Sequence, residues 1–338
     1  MRIDRIVTAA FVVLVSTAIV GLSTGDSGAS FTGTTTNPGE ILNTQNVTPP
    51  ASFTSVTSAI AGRIDLVWTA TTSPAGSHTL TYLVLRGPVG GPYAQIGTTA
   101  GLTYSDTPGA DGTYEYVIQT KIAQGAGFFT SGNSAAMSNK SDRTAPTMSA
   151  TCNGGACAAW YNGSVTFVVS GTDGAGVGMG TATTNVDGAG AATSAAPRTV
   201  TVSGQSAAHS VVYSGADAVG NASGNTTVSF GIDLTAPTAV TGLSASSGAG
   251  GAPVTVDLAW TAGTDALSGV AGYTVYWSNA VATCAGATYP NSAVIGAVTS
   301  YQITGLVNTS SYCAYVVTKD NAGNLSASSA VVGPTKAK

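Results

Sequence analysis

Asp142-Arg-Thr-Ala-Pro-Thr147 returns later in the chain as Asp233-Leu-Thr-Ala-Pro-Thr238, with five of six residues identical. The offset is 233 − 142 = 91 residues, close to the roughly 100 residues of a two-sheet β-sandwich domain. Proline lacks an N–H and fixes φ, so Pro146 and Pro237 suit a first, edge strand rather than a central one. Each also pushes the alanine before it towards extended backbone. The repeated stretch therefore reads as a seam, where one domain ends and the next begins.

The 338 residues suit about three such domains. Glutamate occurs only as Glu40 and Glu115, while Thr, Ser, Val and Tyr abound, the composition of pleated, half-buried surfaces. Mean hydropathy is +0.25, and the apolar residues alternate in short runs broken by glycine and proline, which argues against disorder. The expected class is all-β. The 11 basic and 15 acidic residues, net −4, are scattered, so no basic stripe is available to neutralise phosphates. Nucleic acid is not an expected partner.

Met1-Arg-Ile-Asp-Arg5, the apolar run from Ile6 to Leu22 and the small residues Ser27-Gly-Ala-Ser30 have the three-part layout of a secretory signal. The run is short for a bilayer span, which favours cleavage near Ala29 over a retained anchor. Membrane contact is expected only through that anchor. Residues 31–48 read as a tether. Four cysteines in an exported chain suggest two structural disulfides. Cys152 and Cys157 enclose a turn, Asn-Gly-Gly-Ala, and Cys284 and Cys313 both follow the second seam, so each pair is expected to close on itself.

Ile64-Asp-Leu-Val-Trp-Thr-Ala70 alternates strictly, and Val256-Asp-Leu-Ala-Trp-Thr-Ala262 repeats it. This turns Trp68 and Trp260 towards a core. A later strand in each domain carries a tyrosine, Tyr114 or Tyr312. This layout resembles fibronectin type III sandwiches, in which such a tyrosine forms a corner by bonding upstream backbone. The resemblance covers 49–142 and 238–334. The domain between, 146–233, lacks the Trp strand. With Val165, Phe167 and Val169 alternating and Asp217-Ala-Val-Gly-Asn221 following, it resembles bacterial immunoglobulin-like repeats. Ala29-Ser-Phe-Thr-Gly-Thr-Thr-Thr-Asn-Pro-Gly39, after the apolar run, resembles the start of actinobacterial surface proteins with a TasA/camelysin-type signal. The resemblances imply a signal or anchor over 1–30, then a tandem array of three immunoglobulin-like and fibronectin type III sandwiches.

No catalytic constellation is expected. His78 and His209 fall in different domains, and no nucleophile elbow, zinc helix or phosphate loop occurs. No cofactor or metal is expected either. Asp173 with Asp217, and Asp265 with Asp320, lie in loops that a sandwich brings to one end. They read as turn-fixing residues in preference to Ca²⁺ ligands, because two carboxylates fall short of the 6–8 oxygens that ion takes. Phe128-Phe129 are candidates for exposed rings, and Trp277 shares a strand face with Tyr273 and Val275. The expected function is that of a non-catalytic cell-surface or extracellular spacer, adhesion or interaction protein whose partner is an extracellular protein or glycan. The alternative is a carbohydrate-binding accessory of polysaccharide degradation.

Overall fold

The computed structural model describes residues 36–37, 40–41, 47–58, 60–72, 79–124 and 127–338. The signal or anchor segment, most of the tether and His78 lie outside the described residues. Among the described residues there are strands and turns and no α-helix. Apart from a short antiparallel pair, Thr36–Asn37 with Glu40–Ile41, the strands build three two-sheet sandwiches.

In the first sandwich Phe53–Thr57, Ile64–Trp68 and Thr103–Asp106 form one antiparallel sheet. Met137–Ser141, Gly112–Gln124, Leu80–Gly87 and Ala94–Thr99 lie in that order in the other. The third sandwich repeats this plan. Its small sheet is Thr241–Ser247, Val256–Thr261 and Ser300–Ile303, and its larger one orders Asn291–Ile295, Val270–Trp277, Ser311–Asp320 and Val332–Lys336. A period of two sends alternate side chains to opposite faces, so Ile64, Leu66 and Trp68, and likewise Val256, Leu258 and Trp260, are all buried. Each Trp meets a tyrosine of the opposite sheet edge-on, Trp68 on Tyr82 and Trp260 on Tyr273, with centroids 5.5 Å apart in both. Burying such a side chain contributes about 1.5–3 kcal/mol. Trp277 also packs against the core of the third sandwich.

The second sandwich reaches the same end without a Trp strand. Thr147–Cys152, Val165–Thr172 and Arg198–Val202 face a five-stranded sheet ordered Trp160–Tyr161, Thr226–Ile232, Ser206–Asp217, Met179–Val186 and Ala191–Ala195. The short first strand of that sheet runs parallel to its neighbour. Phe167 from one sheet and Tyr213 from the other fill the centre, 5.9 Å apart.

The first and third sandwiches differ at one buried site that alternation alone does not reveal. In the third, Trp277 pairs with Ala314 and Val256 with Ile303, all facing the core. The corresponding pairs in the first are Arg86 with Tyr116 and Ile64 with Asp106. The Asp106 Oδ2 accepts from Arg86 Nη1 and from the Tyr116 hydroxyl, both at 2.8 Å. Burial and the neighbouring Asp106 push the Tyr116 phenol far above its ordinary range. A satisfied polar triad thus replaces apolar packing, which is tolerable because every member has its partner.

The first sandwich belongs to one compact unit, which runs to Thr144 and includes Ala175–Val177, while the second and third share the other, Ala145–Gly174 and Gly178–Lys338.

Candidate functional site

Within the second unit, the polar chemistry is concentrated where the second sandwich hands over to the third. Asp320 ends strand Ser311–Asp320, where the chain must reverse. Its Oδ1 accepts the backbone N–H groups of Gly323 at 2.6 Å and Asn324 at 2.8 Å, and its Oδ2 accepts from Asn324 Nδ2 at 2.8 Å. The turn needs a left-handed residue, and Gly323 supplies it at φ 101°. Asp265 fixes the facing loop in the same way, its Oδ1 accepting the N–H groups of Leu267 at 3.1 Å and Gly269 at 2.7 Å. Asp217 repeats the Asp320 device in the second sandwich, accepting from Val219 N and Asn221 N at 2.9 Å each.

The seam residue joins this arrangement. Asp233 is fully buried and accepts from Thr235 N at 3.0 Å and Ser268 N at 3.1 Å. Asn324 then donates through Nδ2 to the carbonyls of Asp233 at 2.8 Å and Thr235 at 3.3 Å. Burial works against the Asp233 charge, but Ser268, the Thr235 N–H and the adjacent Asp265 carboxyl together hold it below the usual carboxylate range.

Reading the aspartates in pairs missed Asp233. The structure gathers three carboxylates, Asp233, Asp265 and Asp320, with one oxygen of each within 4.8 Å of the others. The signal was present in the sequence, since the repeated stretch begins with that aspartate. As a donor set, three carboxylates with neighbouring carbonyls have the chemistry of a hard-cation site. As folded, their oxygens serve the turn and seam N–H groups.

The other singled-out residues lie apart. Cys152 bonds Cys157 and Cys284 bonds Cys313. The Tyr114 hydroxyl donates to the Ala110 carbonyl at 3.0 Å, and the Tyr312 oxygen accepts the Val307 N–H at 2.9 Å. Phe128 and Phe129 are both exposed on strand Gly127–Thr130, with Lys121 Nζ 4.2 Å from the Phe128 ring centre.

His209 is buried between two acceptors. Its Nδ1 lies 2.7 Å from Asp187 Oδ2 and its Nε2 3.0 Å from the Gly204 carbonyl. Both contacts ask for N–H, so the charged imidazolium satisfies them together. Burial pulls the His209 pKa down, but the Gly204 carbonyl and Asp187 outweigh it and the net shift is upward. A pKa raised on folding gives stability that is complete below the unfolded value and is lost as pH rises through the folded one. The second sandwich is therefore expected to melt lower at about pH 8 than at about pH 6, and His209→Gln is expected to flatten that slope. An NMR titration placing His209 below an ordinary histidine would contradict this account.

An aromatic cluster that the sequence reading did not single out lies on the third sandwich. Tyr276 and Tyr315 are cross-strand partners whose rings stack, centroids 4.9 Å apart and 17° between planes. Tyr289 meets Tyr315 edge-on at 4.9 Å. All three are half-buried.

No family model matches the chain. Among curated proteins it is similar to Chitinase A1 of Niallia circulans, 38% identical over 155 residues that make up 43% of this chain. The match spans only 20% of that protein's length. Among solved structures it is similar to the chicken CNTN1 FN1–FN3 domains, at 15% identity and a TM-score of 0.40, covering 85% of this chain and 97% of that one.

Proposed function

We propose that this chain is an exported, non-catalytic array of sandwiches that works outside the cell as a spacer and interaction module. The observation that carries this reading is the seam between the second and third sandwiches. Its buried carboxylates and Asn324 tie turns and sandwiches together. A locked junction suits a part that must hold its length and present surfaces, since polar links of this kind limit the hinge motion otherwise expected between domains. Two disulfides suit an oxidising compartment. Fractionation of the producing culture is expected to place the protein in the medium or the cell-surface fraction with all four cysteines paired. Recovery from the cytosol with free thiols would overturn it.

A second reading is favoured by the similarity to Chitinase A1. The sandwiches then serve as an accessory to extracellular polysaccharide degradation, holding or presenting glycan while another protein cleaves it. The purified chain is expected to stay with insoluble chitin or cellulose in a pull-down and to release no reducing ends. Release of reducing ends would overturn the non-catalytic assignment in both readings.

A further inference from the structure

We propose that Tyr276, Tyr289 and Tyr315 form a stacking site for a neutral polysaccharide of equatorially linked pyranose units, on the outer face of the third sandwich's larger sheet. The assignment rests on the glycan-accessory reading above and gives it a place on the molecule.

The face follows from strand parity. Tyr273 and Val275 are buried in the core, so Thr274 and Tyr276 on the same strand point outward. Tyr312, Ala314 and Val316 are likewise core residues, which turns Tyr315 and Val317 outward. Tyr276 has Tyr315 on one side and Ser292 on the other. The small serine leaves the second face of the Tyr276 ring uncovered by its strand neighbour. Tyr289 arrives from a different element, the segment that Cys284–Cys313 pins over this sheet. It is turned 73° from Tyr315, so ring faces of two orientations border the site.

One observation separates this cluster from ordinary packing, and two more fit it to a sugar ligand. The first sandwich, built on the same strand order, fills the Tyr276–Tyr315 position with Leu85 and Val117. An aliphatic pair therefore suffices for the fold, and the aromatic pair is not demanded by it. None of the three phenol oxygens hydrogen-bonds to a described residue, a property shared with Tyr213, Tyr273 and Tyr301 but not with Tyr82, Tyr104, Tyr114 and Tyr116. Free hydroxyls beside flat ring faces match a ligand that is apolar on its ring face and hydroxylated at its edges. The flanking outward residues, Ser292, Thr274, Val294, Val317 and Lys319, include no carboxylate and a single charge. That near-neutral face complements an uncharged chain better than an acidic or basic one. Pyranoses with equatorial substituents expose a patch of axial C–H groups, which is the surface that stacks on tyrosine.

The full chain supplies the test. Retention on insoluble chitin and on cellulose is compared between wild type and the double variant Tyr276→Leu/Tyr315→Val, which installs the first sandwich's own pair and is expected to fold. Tyr289→Ala is a third arm, and a melting curve checks each variant. The expected result is retention that survives high salt and weakens by about tenfold in the double variant, the order of magnitude of a lost aromatic stacking contact. Equal retention by folded double variant and wild type would overturn the platform while leaving the accessory reading standing. Wild type that stays with neither polysaccharide would overturn both. Retention abolished by salt would overturn the platform in favour of a charge-driven partner.

Discussion

Asp320→Ala is expected to destabilise the third sandwich by about 3–5 kcal/mol, the range for breaking a buried, charge-assisted network. Asp320 is 1% exposed and its carboxylate accepts three hydrogen bonds, two of them from backbone N–H groups, of which Gly323 N–H also reaches the Asp320 carbonyl at 3.3 Å and Asn324 N–H depends on the carboxylate. Alanine leaves the Asn324 amide without its acceptor and Gly323 with only the longer bond to the Asp320 carbonyl, which costs more than the lost bonds themselves contribute. It also frees Asn324, whose Nδ2 holds the seam carbonyls of Asp233 and Thr235. The damage should therefore reach the junction with the second sandwich. Asn324→Ala removes the side-chain ties but keeps the turn amides bonded to Asp320, so about 1–2 kcal/mol is expected. Asp257→Ala is the surface control. Its carboxylate takes one exposed bond from Gln302 at 2.7 Å, and it should cost no more than about 0.5 kcal/mol. Urea unfolding in excess chelator makes the comparison a reading of hydrogen bonds alone. A loss for Asp320→Ala no larger than that of the surface control would refute the lock.

The fold was legible in the sequence because it is written in period-two alternation. Ile64, Leu66 and Trp68 must share a face in any strand, and Val256, Leu258 and Trp260 repeat the instruction. The disulfides were legible from position, since the seam separates the two pairs of cysteines. What stayed hidden depends on pairing across strands, which alternation does not encode. Asp106 looks like a turn residue until register sets it beside Arg86 and Tyr116. Asp187 and His209 are 22 residues apart in sequence and meet at 2.7 Å. The tyrosine cluster was missed for a related reason. Alternation places Trp277 inward with Tyr273 and Val275, as the structure has it, and the same parity sends its neighbour Tyr276 outward, but only strand register sets Tyr276 beside Tyr315. Tyr289 lies in no regular strand, so only the disulfide-held segment brings it to Tyr315.

That segment sets the second large effect. Replacing Cys284 and Cys313 by alanine together is expected to cost the third sandwich about 3.5 kcal/mol, while replacing Cys152 and Cys157 costs about 2 kcal/mol. The difference comes from the chain each bond closes, with a sequence separation of 29 against 5. In the chain-entropy account, the longer closed loop removes more freedom from the unfolded state. Position reinforces the order. Cys313 is fully buried under the segment it anchors, whereas Cys157 is partly exposed beside a surface turn. Denaturant unfolding followed by tryptophan fluorescence can assign the loss, because Trp260 and Trp277 report on the third sandwich and Trp160 on the second. A larger loss from the short pair would contradict the loop argument. The same variant bears on the tyrosine platform without touching a ring. Without its bond to Cys313, the segment carrying Tyr289 keeps backbone contacts such as Val281 N to Ser311 O at 2.9 Å and the ring contact of Tyr289 with Tyr315. Tyr276 and Tyr315 stay paired across their strands. Under native conditions the folded variant should therefore lose the part of polysaccharide retention that Tyr289→Ala loses, and no more. Loss as deep as in Tyr276→Leu/Tyr315→Val would mean that the disulfide orders the whole outer face rather than one ring.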